Sequence, residues 1–206
     1  MHQTRSEVIR QLPLARKGTK YIARALRNSS DSVPLIVAIR DMLKLASTSK
    51  EVKGMVHNKK IKINGKNVKD VNEPICLFSI LEADKNYLLN LLPTGRFDFV
   101  ETKEKDRKLK IKGKVAIKKE VFQYSLHDGT NVLSNKNFSV GDTLILSNDN
   151  KIVKHIEMSK GKEIFVIAGN YIGKTGKVED IFEDNRIKVK FDNGSIVLEK
   201  AQIILI

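Results

Sequence analysis

Ala168, Gly173, Lys174 and Thr175 are the residues of this 206-residue chain whose types and spacing most directly suggest chemistry. A small residue, four spacers and Gly-Lys-Thr after the apolar run Ile164-Phe165-Val166-Ile167 is the permissive spelling of a phosphate loop. Such a loop works only when its Lys and Thr open a helix whose N-terminal amides and dipole face the phosphates. Here Gly176 follows at once, and Val178, Ile181, Ile187, Val189 and Phe191 come in near alternation, which predicts strand, hairpin and strand with Asp192-Asn193-Gly194 as a turn. Only 31 residues follow Thr175, too few for the helices and parallel sheet of a nucleotide-hydrolysing domain. An ATPase is therefore not expected.

The stretch Ser125–Leu133 offers a second candidate, His127-Asp128, as a general base with its orienting carboxylate. Adjacent strand residues point to opposite faces, no nucleophile accompanies the pair, and Asp128-Gly129 is a natural turn. The single Cys76, inside Ile75-Cys76-Leu77-Phe78, reads as a small buried apolar residue. His2, His57, His127 and His155 are scattered without ligand spacing, so neither a zinc knuckle nor another metal site is expected. No catalytic residue, cofactor or small-molecule substrate is expected, and the chain does not read as an enzyme.

Charge points to a polyanionic partner. Lys and Arg number 38 against 24 Asp and Glu, for a net +14. The excess is uneven: residues 1–73 carry +10, residues 74–160 carry +4, and residues 161–206 are neutral. The polyanion should meet mainly the N-terminal third. An anionic membrane surface would also attract a basic protein, but no 18-residue apolar run, lipidation motif or signal peptide is present, and a cytoplasmic location is expected.

The elements that must position these charges change along the chain. Residues 1–31 hold Arg5, Arg10, Arg16, Lys17, Lys20, Arg24 and Arg27, interrupted by Pro13 and Gly18, and read as an extended basic arm that orders against phosphate. From Ser32, a plausible cap, with Pro34 in the first turn, Leu35, Ile39, Met42, Leu43 and Ala46 recur on one helical face with Arg40 and Lys44 opposite. Thr48-Ser49-Lys50-Glu51 is a capping box opening a second helix, with Val52, Met55 and Val56 on one side and Lys50 and Lys53 away from it. The period then drops to two in Lys60-Ile61-Lys62-Ile63, and Asn64-Gly65 turns the chain back through Lys66. Helix, helix and hairpin together gather Arg40, Lys44, Lys50, Lys53, Lys60, Lys62 and Lys66.

Residues 75–158 are strand-rich, with segments Ile75–Leu81, Tyr87–Leu92, Arg96–Glu101, Lys108–Lys118, Val121–Leu126, Thr130–Leu133, Thr143–Leu146 and Lys151–Ile156 and no helix of useful length. The predicted class is α+β, mostly β. Its expected parts are a basic arm (1–31), a small basic αβ domain (32–74), a central β-domain (75–158) and a C-terminal small β-barrel (159–206). Parts this small leave little room for a catalytic pocket.

Residues 161–191, with Gly169, the loop Asn170-Tyr171-Ile172, Gly173, Lys174 and then Gly176, resemble the KOW motif, a β-hairpin unit of ribosomal proteins and transcription elongation factors. That resemblance implies RNA or protein contact, with Asn170, Tyr171, Lys174 and Lys177 as the contacting residues. Residues 34–74 resemble the alpha-L RNA-binding motif through Ser49-Lys50-Glu51-Val52 and Ile61-Lys62-Ile63-Asn64-Gly65-Lys66. It implies RNA contact by Ser49, Lys50, Lys59, Asn64 and Lys66. The glycine usual after the second helix is replaced, with Asn58 and Lys59 there, and Asn is the residue that best tolerates the left-handed turn after Gly.

In order, Arg16-Lys17-Gly18, the Asn64-Gly65-Lys66 hairpin, Leu126-His127-Asp128-Gly129, Val140-Gly141-Asp142-Thr143 and Gly169 through Gly176 make the chain similar, over nearly its whole length, to the archaeal and eukaryotic type of ribosomal small-subunit protein four. The arm lacks the Trp usual near Leu12, and no C-terminal extension of the eukaryotic kind follows, which favours an archaeal or reduced source. The resemblance implies a structural role: binding small-subunit ribosomal RNA, contacting neighbouring ribosomal proteins and supporting assembly and translation. The alternatives are an RNA-modifying enzyme carrying the alpha-L module, which would need a catalytic Asp loop or a glycine-rich cofactor turn in residues 75–206, and a KOW-type transcription factor, which would bind polymerase.

Overall fold

In Asn86–Leu91 every second residue is apolar, and the segment forms a strand that buries Tyr87, Leu89 and Leu91. The same alternation recurs through the computed structural model, which describes residues 2–27, 31–118, 120–182, 184–191 and 194–206. The chain forms two units, residues 1–105 and 106–206.

In the first unit, β1 (His2–Thr4) pairs antiparallel with β2 (Tyr21–Ala23), with His2 opposite Ala23. Arg5 closes the loop between them: Nε donates to the Thr19 carbonyl at 2.7 Å, Nη2 to Thr19 Oγ1 at 3.2 Å, and Nη1 to the Ala15 carbonyl. Gly18 lies against this guanidinium with φ +144°, and a Cβ there would stand 2.7 Å from Arg5 Nη2. Leu12, Ile22 and Ala25 are buried, and the Gln11 carbonyl accepts from the Phe97 amide at 2.8 Å. The arm is therefore not the extended segment its charge suggests. Its few apolar residues pack within the unit, and one arginine organises its loop.

Ser32 does not cap a helix. It lies in β3 (Ser32–Pro34), which pairs with β6 (Pro74–Cys76), Val33 opposite Ile75. Pro34 has no N–H to give a ladder and instead precedes α1 (Leu35–Val37), which widens into a π-turn over Ala38–Met42. Leu35 through Ile39 are all buried, so this helix has an apolar surface all round, and Lys44 at φ 55° stops it before Ala46. Leu43 and Ala46, expected on the helical face, lie beyond the helix. Of the capping box expected for α2 (Ser49–His57) the N-cap half forms: Thr48 Oγ1 accepts from the Glu51 amide at 3.3 Å, whereas the Glu51 carboxylate accepts from the Ser47 amide at 2.8 Å and the Thr48 hydroxyl at 2.9 Å. The left-handed residue after α2 is Lys59 (φ 53°); Asn58 is at φ −78°.

Beyond it, β4 (Lys62–Ile63) and β5 (Lys66–Asn67) make a hairpin with positive φ at both Asn64 and Gly65, the requirement of a type I′ turn. With β7 (Ile80–Glu82), β8 (Asn86–Leu91) and β9 (Phe97–Glu101) they form a sheet in the order β5-β4-β7-β8-β9. The expected single strand Ile75–Leu81 is broken by Phe78 at φ 60°, which sends β6 and β7 into different sheets.

The second unit holds two five-stranded sheets. β10 (Arg107–Lys118) pairs through its first half with β13 (Thr143–Leu146) and through its second with β11 (Val121–Leu126); β12 (Asn131–Ser134) and β14 (Ile152–Ile156) form the edges. Leu109, Ile111, Tyr124, Leu126, Phe138 and Leu144 form its core. The strand-rich stretch 75–158 thus contributes to both units, divided at 105/106. The other sheet orders β18 (Gly194–Glu199), β17 (Arg186–Phe191), β16 (Thr175–Ile181), β15 (Glu163–Val166) and β19 (Ile203–Leu205), around Ile164, Val166, Val178, Ile187, Val189 and Ile203. Asp192 and Asn193 of the expected turn lie outside the described residues.

Candidate nucleic-acid interface

The capped α2 and the I′ hairpin present Lys50, Lys53, Lys59, Lys60, Lys62 and Lys66, all exposed. Among the described residues none of these six forms an ion pair. The nearby carboxylates are engaged by main chain instead. Glu73 accepts from the amides of Lys69 at 2.7 Å and Asp70 at 3.3 Å, and Glu82 accepts from the Gly65 amide at 3.0 Å. Glu51 is held below the usual carboxylate range by the Ser47 amide and then the Thr48 hydroxyl. Exposed ammonium groups whose neighbouring acids are committed to N–H donors remain available to phosphate. Asn64 positions the hairpin: its Oδ1 accepts from the Ile80 amide at 2.8 Å and its Nδ2 donates to Ser79 Oγ at 3.4 Å. It sets backbone shape rather than offering a free side-chain amide.

A cleft of about 860 Å³ in the same unit is lined by Arg5, Tyr21, Arg40, Lys44 and Ser49, among others. Arg40 is less free than its charge suggests. It is bidentate to Asp41 (2.9 and 2.8 Å), which raises its pKa, and Nη1 reaches Ser49 Oγ at 3.3 Å. Arg10, Arg16, Lys17, Lys20, Arg24, Arg27 and Lys44 are exposed. The sequence did not single out Tyr21, which is exposed beside the cleft, with Lys20 Nζ 5.4 Å from its ring and His2 edge-on at 4.8 Å. An exposed aromatic ring at the start of β2, beside a basic loop, offers base stacking, and the aromatic among cations was the available signal.

In the second unit, Thr175 opens strand β16 and no helix follows Gly173-Lys174, so the phosphate-loop geometry is absent. Asn170 is exposed, Tyr171 stacks on Phe191 (5.3 Å, 20°), and Lys174 Nζ sits 5.2 Å from the Tyr171 ring. Several cations here face carboxylates: Lys160–Asp180 at 2.8 Å, Lys188–Glu179 at 3.0 Å, Lys177–Glu163 at 3.9 Å, and Arg186–Asp184.

His127 and Asp128 are each tied to other parts of the fold. His127 Nδ1 accepts the Lys110 amide at 3.1 Å, whereas Asp128 holds buried Arg107 at 3.1 Å and caps Thr130 through its amide and hydroxyl. Arg107 also donates to Asn150 Oδ1 at 2.5 Å, and burial lowers its pKa against the opposing effect of Asp128. Asp142 of Val140-Gly141-Asp142 is buried and accepts from the Ser139 and Met158 amides at 3.1 Å each, with His155 Nε2 at 2.8 Å. Lys110 is buried with Nζ donating to the Lys200 and Ala201 carbonyls; burial and then Lys112 lower its pKa to about 8.

The sequence profile of ribosomal family S4e matches residues 83–153. Small ribosomal subunit protein eS4 of Methanocella arvoryzae is 30% identical over 188 residues, covering 87% of this chain and 80% of that protein. Its counterpart in Methanocaldococcus jannaschii is 31% identical over 185 residues, covering 82% of this chain and 76% of that protein. The crystal structure of the 30S ribosomal protein S4e from Thermoplasma acidophilum superposes with a TM-score of 0.73 at 26% identity, covering 85% of this chain and 95% of that one. With relatives of this identity spanned over most of their length, the chain belongs to ribosomal protein family S4e.

Proposed function

We propose that the chain is a structural constituent of the small ribosomal subunit, binding ribosomal RNA and supporting assembly and translation in the cytoplasm. The observation that carries this reading is the set of exposed lysines on α2 and its hairpin, Lys50, Lys53, Lys59, Lys60, Lys62 and Lys66, which meet no carboxylate among the described residues. Such a surface neutralises closely spaced phosphates and releases their counterions, while the rigid I′ turn held by Asn64 supplies shape. The exposed arm residues Arg10, Arg16, Lys17, Lys20, Arg24 and Arg27 extend the contact, and Tyr21 offers a stacking surface. In the C-terminal sheet, Asn170 and Lys174 contribute a smaller contact. Neighbouring ribosomal proteins complete the environment, and the chain makes and breaks no bond.

Sedimentation through sucrose gradients tests this reading. The native protein should travel with small subunits at physiological salt and leave them only at high salt. Quantitative recovery in ribosome-free fractions at physiological salt would overturn the assignment.

A further inference from the structure

The cleft of about 860 Å³ in the first unit combines three kinds of surface. Ile22, Ile36 and Ala46 line it and are themselves buried, so part of its wall is apolar. Tyr21, at the start of β2, also lines it and is 51% exposed. Arg5, Arg40 and Lys44 add positive charge, and Asp41 is the one carboxylate among the described lining residues. Arg40 holds both oxygens of that carboxylate, at 2.9 and 2.8 Å, so its charge is answered within the fold. Lys44 is exposed and forms no ion pair among the described residues.

The ring is held in place. Tyr21 pairs with Thr4 between β1 and β2, His2 meets it edge-on with centroids 4.8 Å apart, and Lys20 Nζ lies 5.4 Å from its centroid. Arg5 ties the Thr19 and Ala15 carbonyls, and Thr19 Oγ1 donates to the Tyr21 carbonyl at 3.2 Å, so the loop leading to the ring is fixed within the fold. A platform ordered in advance loses little conformational freedom on binding.

We propose that this cleft takes one unpaired nucleotide of small-subunit ribosomal RNA, its base stacked on Tyr21 and its phosphate met by Lys44. The inference rests on the ribosomal reading and adds to it the form of RNA bound at this place. A base inside a duplex has both faces covered by its neighbours in the stack, whereas an unpaired base presents a face to an aromatic ring. The cleft has the volume of a pocket that encloses one small molecule. A protein side chain would cover the ring equally well, but cations whose single neighbouring carboxylate is already engaged favour a ligand that carries phosphate.

The test uses the full-length chain and small-subunit ribosomal RNA, with affinity measured across a range of salt. Tyr21→Ala should weaken binding about tenfold and leave the slope of log affinity against log salt unchanged, because stacking releases no counterions. Tyr21→Phe, which keeps the ring, should stay within about twofold of the parent. Lys44→Ala should lower the slope by about 0.7. Ultraviolet irradiation of the parent complex should join Tyr21 to a single nucleotide, which chemical probing finds unpaired in the free RNA. Equal affinity of parent and Tyr21→Ala, a lowered slope in that variant, or an unchanged slope in Lys44→Ala would each overturn the proposal. So would an adduct to a paired nucleotide, the absence of a Tyr21 adduct, or a Tyr21 crosslink to a protein in assembled subunits. A parent chain that does not bind this RNA defeats the ribosomal reading as well, whereas a parent that binds with a steep salt slope and no better than Tyr21→Ala defeats the cleft alone.

Discussion

The α2–hairpin surface and the C-terminal sheet both carry many cations, yet they use them oppositely. Around α2, carboxylates accept from amides and, among the described residues, the lysines form no ion pair; in and beside the C-terminal sheet, Lys160, Lys177, Lys188 and Arg186 are answered by Asp180, Glu163, Glu179 and Asp184. Surface ion pairs of the second kind contribute little stability, about 0–1 kcal/mol each, but they lower the potential a polyanion meets. The two surfaces therefore differ in charge availability rather than in charge count. Between these extremes lies β10, whose Arg107 and Lys110 are buried and serve the fold.

The largest effect should come from the buried charges. Asp128→Ala leaves Arg107 in the core without its carboxylate, and the second unit should lose about 3–5 kcal/mol in denaturant unfolding. Lys50→Ala, on an unpaired exposed residue, should stay within about 0.5 kcal/mol. Near-equal values for the two would erase the contrast between structural and available cations.

Next in size is a pH effect from Lys110. Its folded pKa, about 8, lies below the ordinary 10.5, so between these values the unfolded chain binds more protons than the folded one. Stability should therefore rise with pH across this window, by up to about 3 kcal/mol, as the cost of a buried ammonium is relieved. Thermal or denaturant unfolding of Lys110→Met should show that rise abolished. A rise of the same size in the variant would assign the effect to other groups.

The smallest effect concerns Lys174, which lies over Tyr171. Lys174→Ala should lower the salt slope of RNA binding by no more than about 0.7 to 0.9. ATP binding should be undetectable by calorimetry in both proteins. Micromolar ATP binding that disappears in the variant would restore the nucleotide-binding reading.

Much of this was legible from local signals. Thr48 and Asn64-Gly65 state their own geometry, because an N-cap bond and a type I′ turn depend on neighbours within four residues. The absence of a helix after Lys174 followed equally from Gly176 and the alternation beyond it. What failed depended on distant partners. Ser32 looked like a cap because its pairing with Cys76 is not visible locally, and residues 1–31 looked extended because Arg5 reaches Ala15 and Thr19 only in the folded loop. Arg5 and Arg40 were singled out for RNA on charge and Asn64 on the alpha-L resemblance, yet each makes hydrogen bonds within the fold that neither signal could reveal. Tyr21 carried a sequence signal, an aromatic among cations, but its exposure is visible only in the structure.

The salt dependence of RNA binding tests the central claim most directly. Two charge-reversal variants are compared with the parent: Lys50→Glu, Lys53→Glu, Lys60→Glu and Lys62→Glu together, and Lys160→Glu, Lys177→Glu and Lys188→Glu together. The first should flatten the plot of log affinity against log salt by about 3, at about 0.7 to 0.9 per lost phosphate contact, and the second by less than about 1. An unchanged slope in the first variant, or an equal loss in both, would contradict the account.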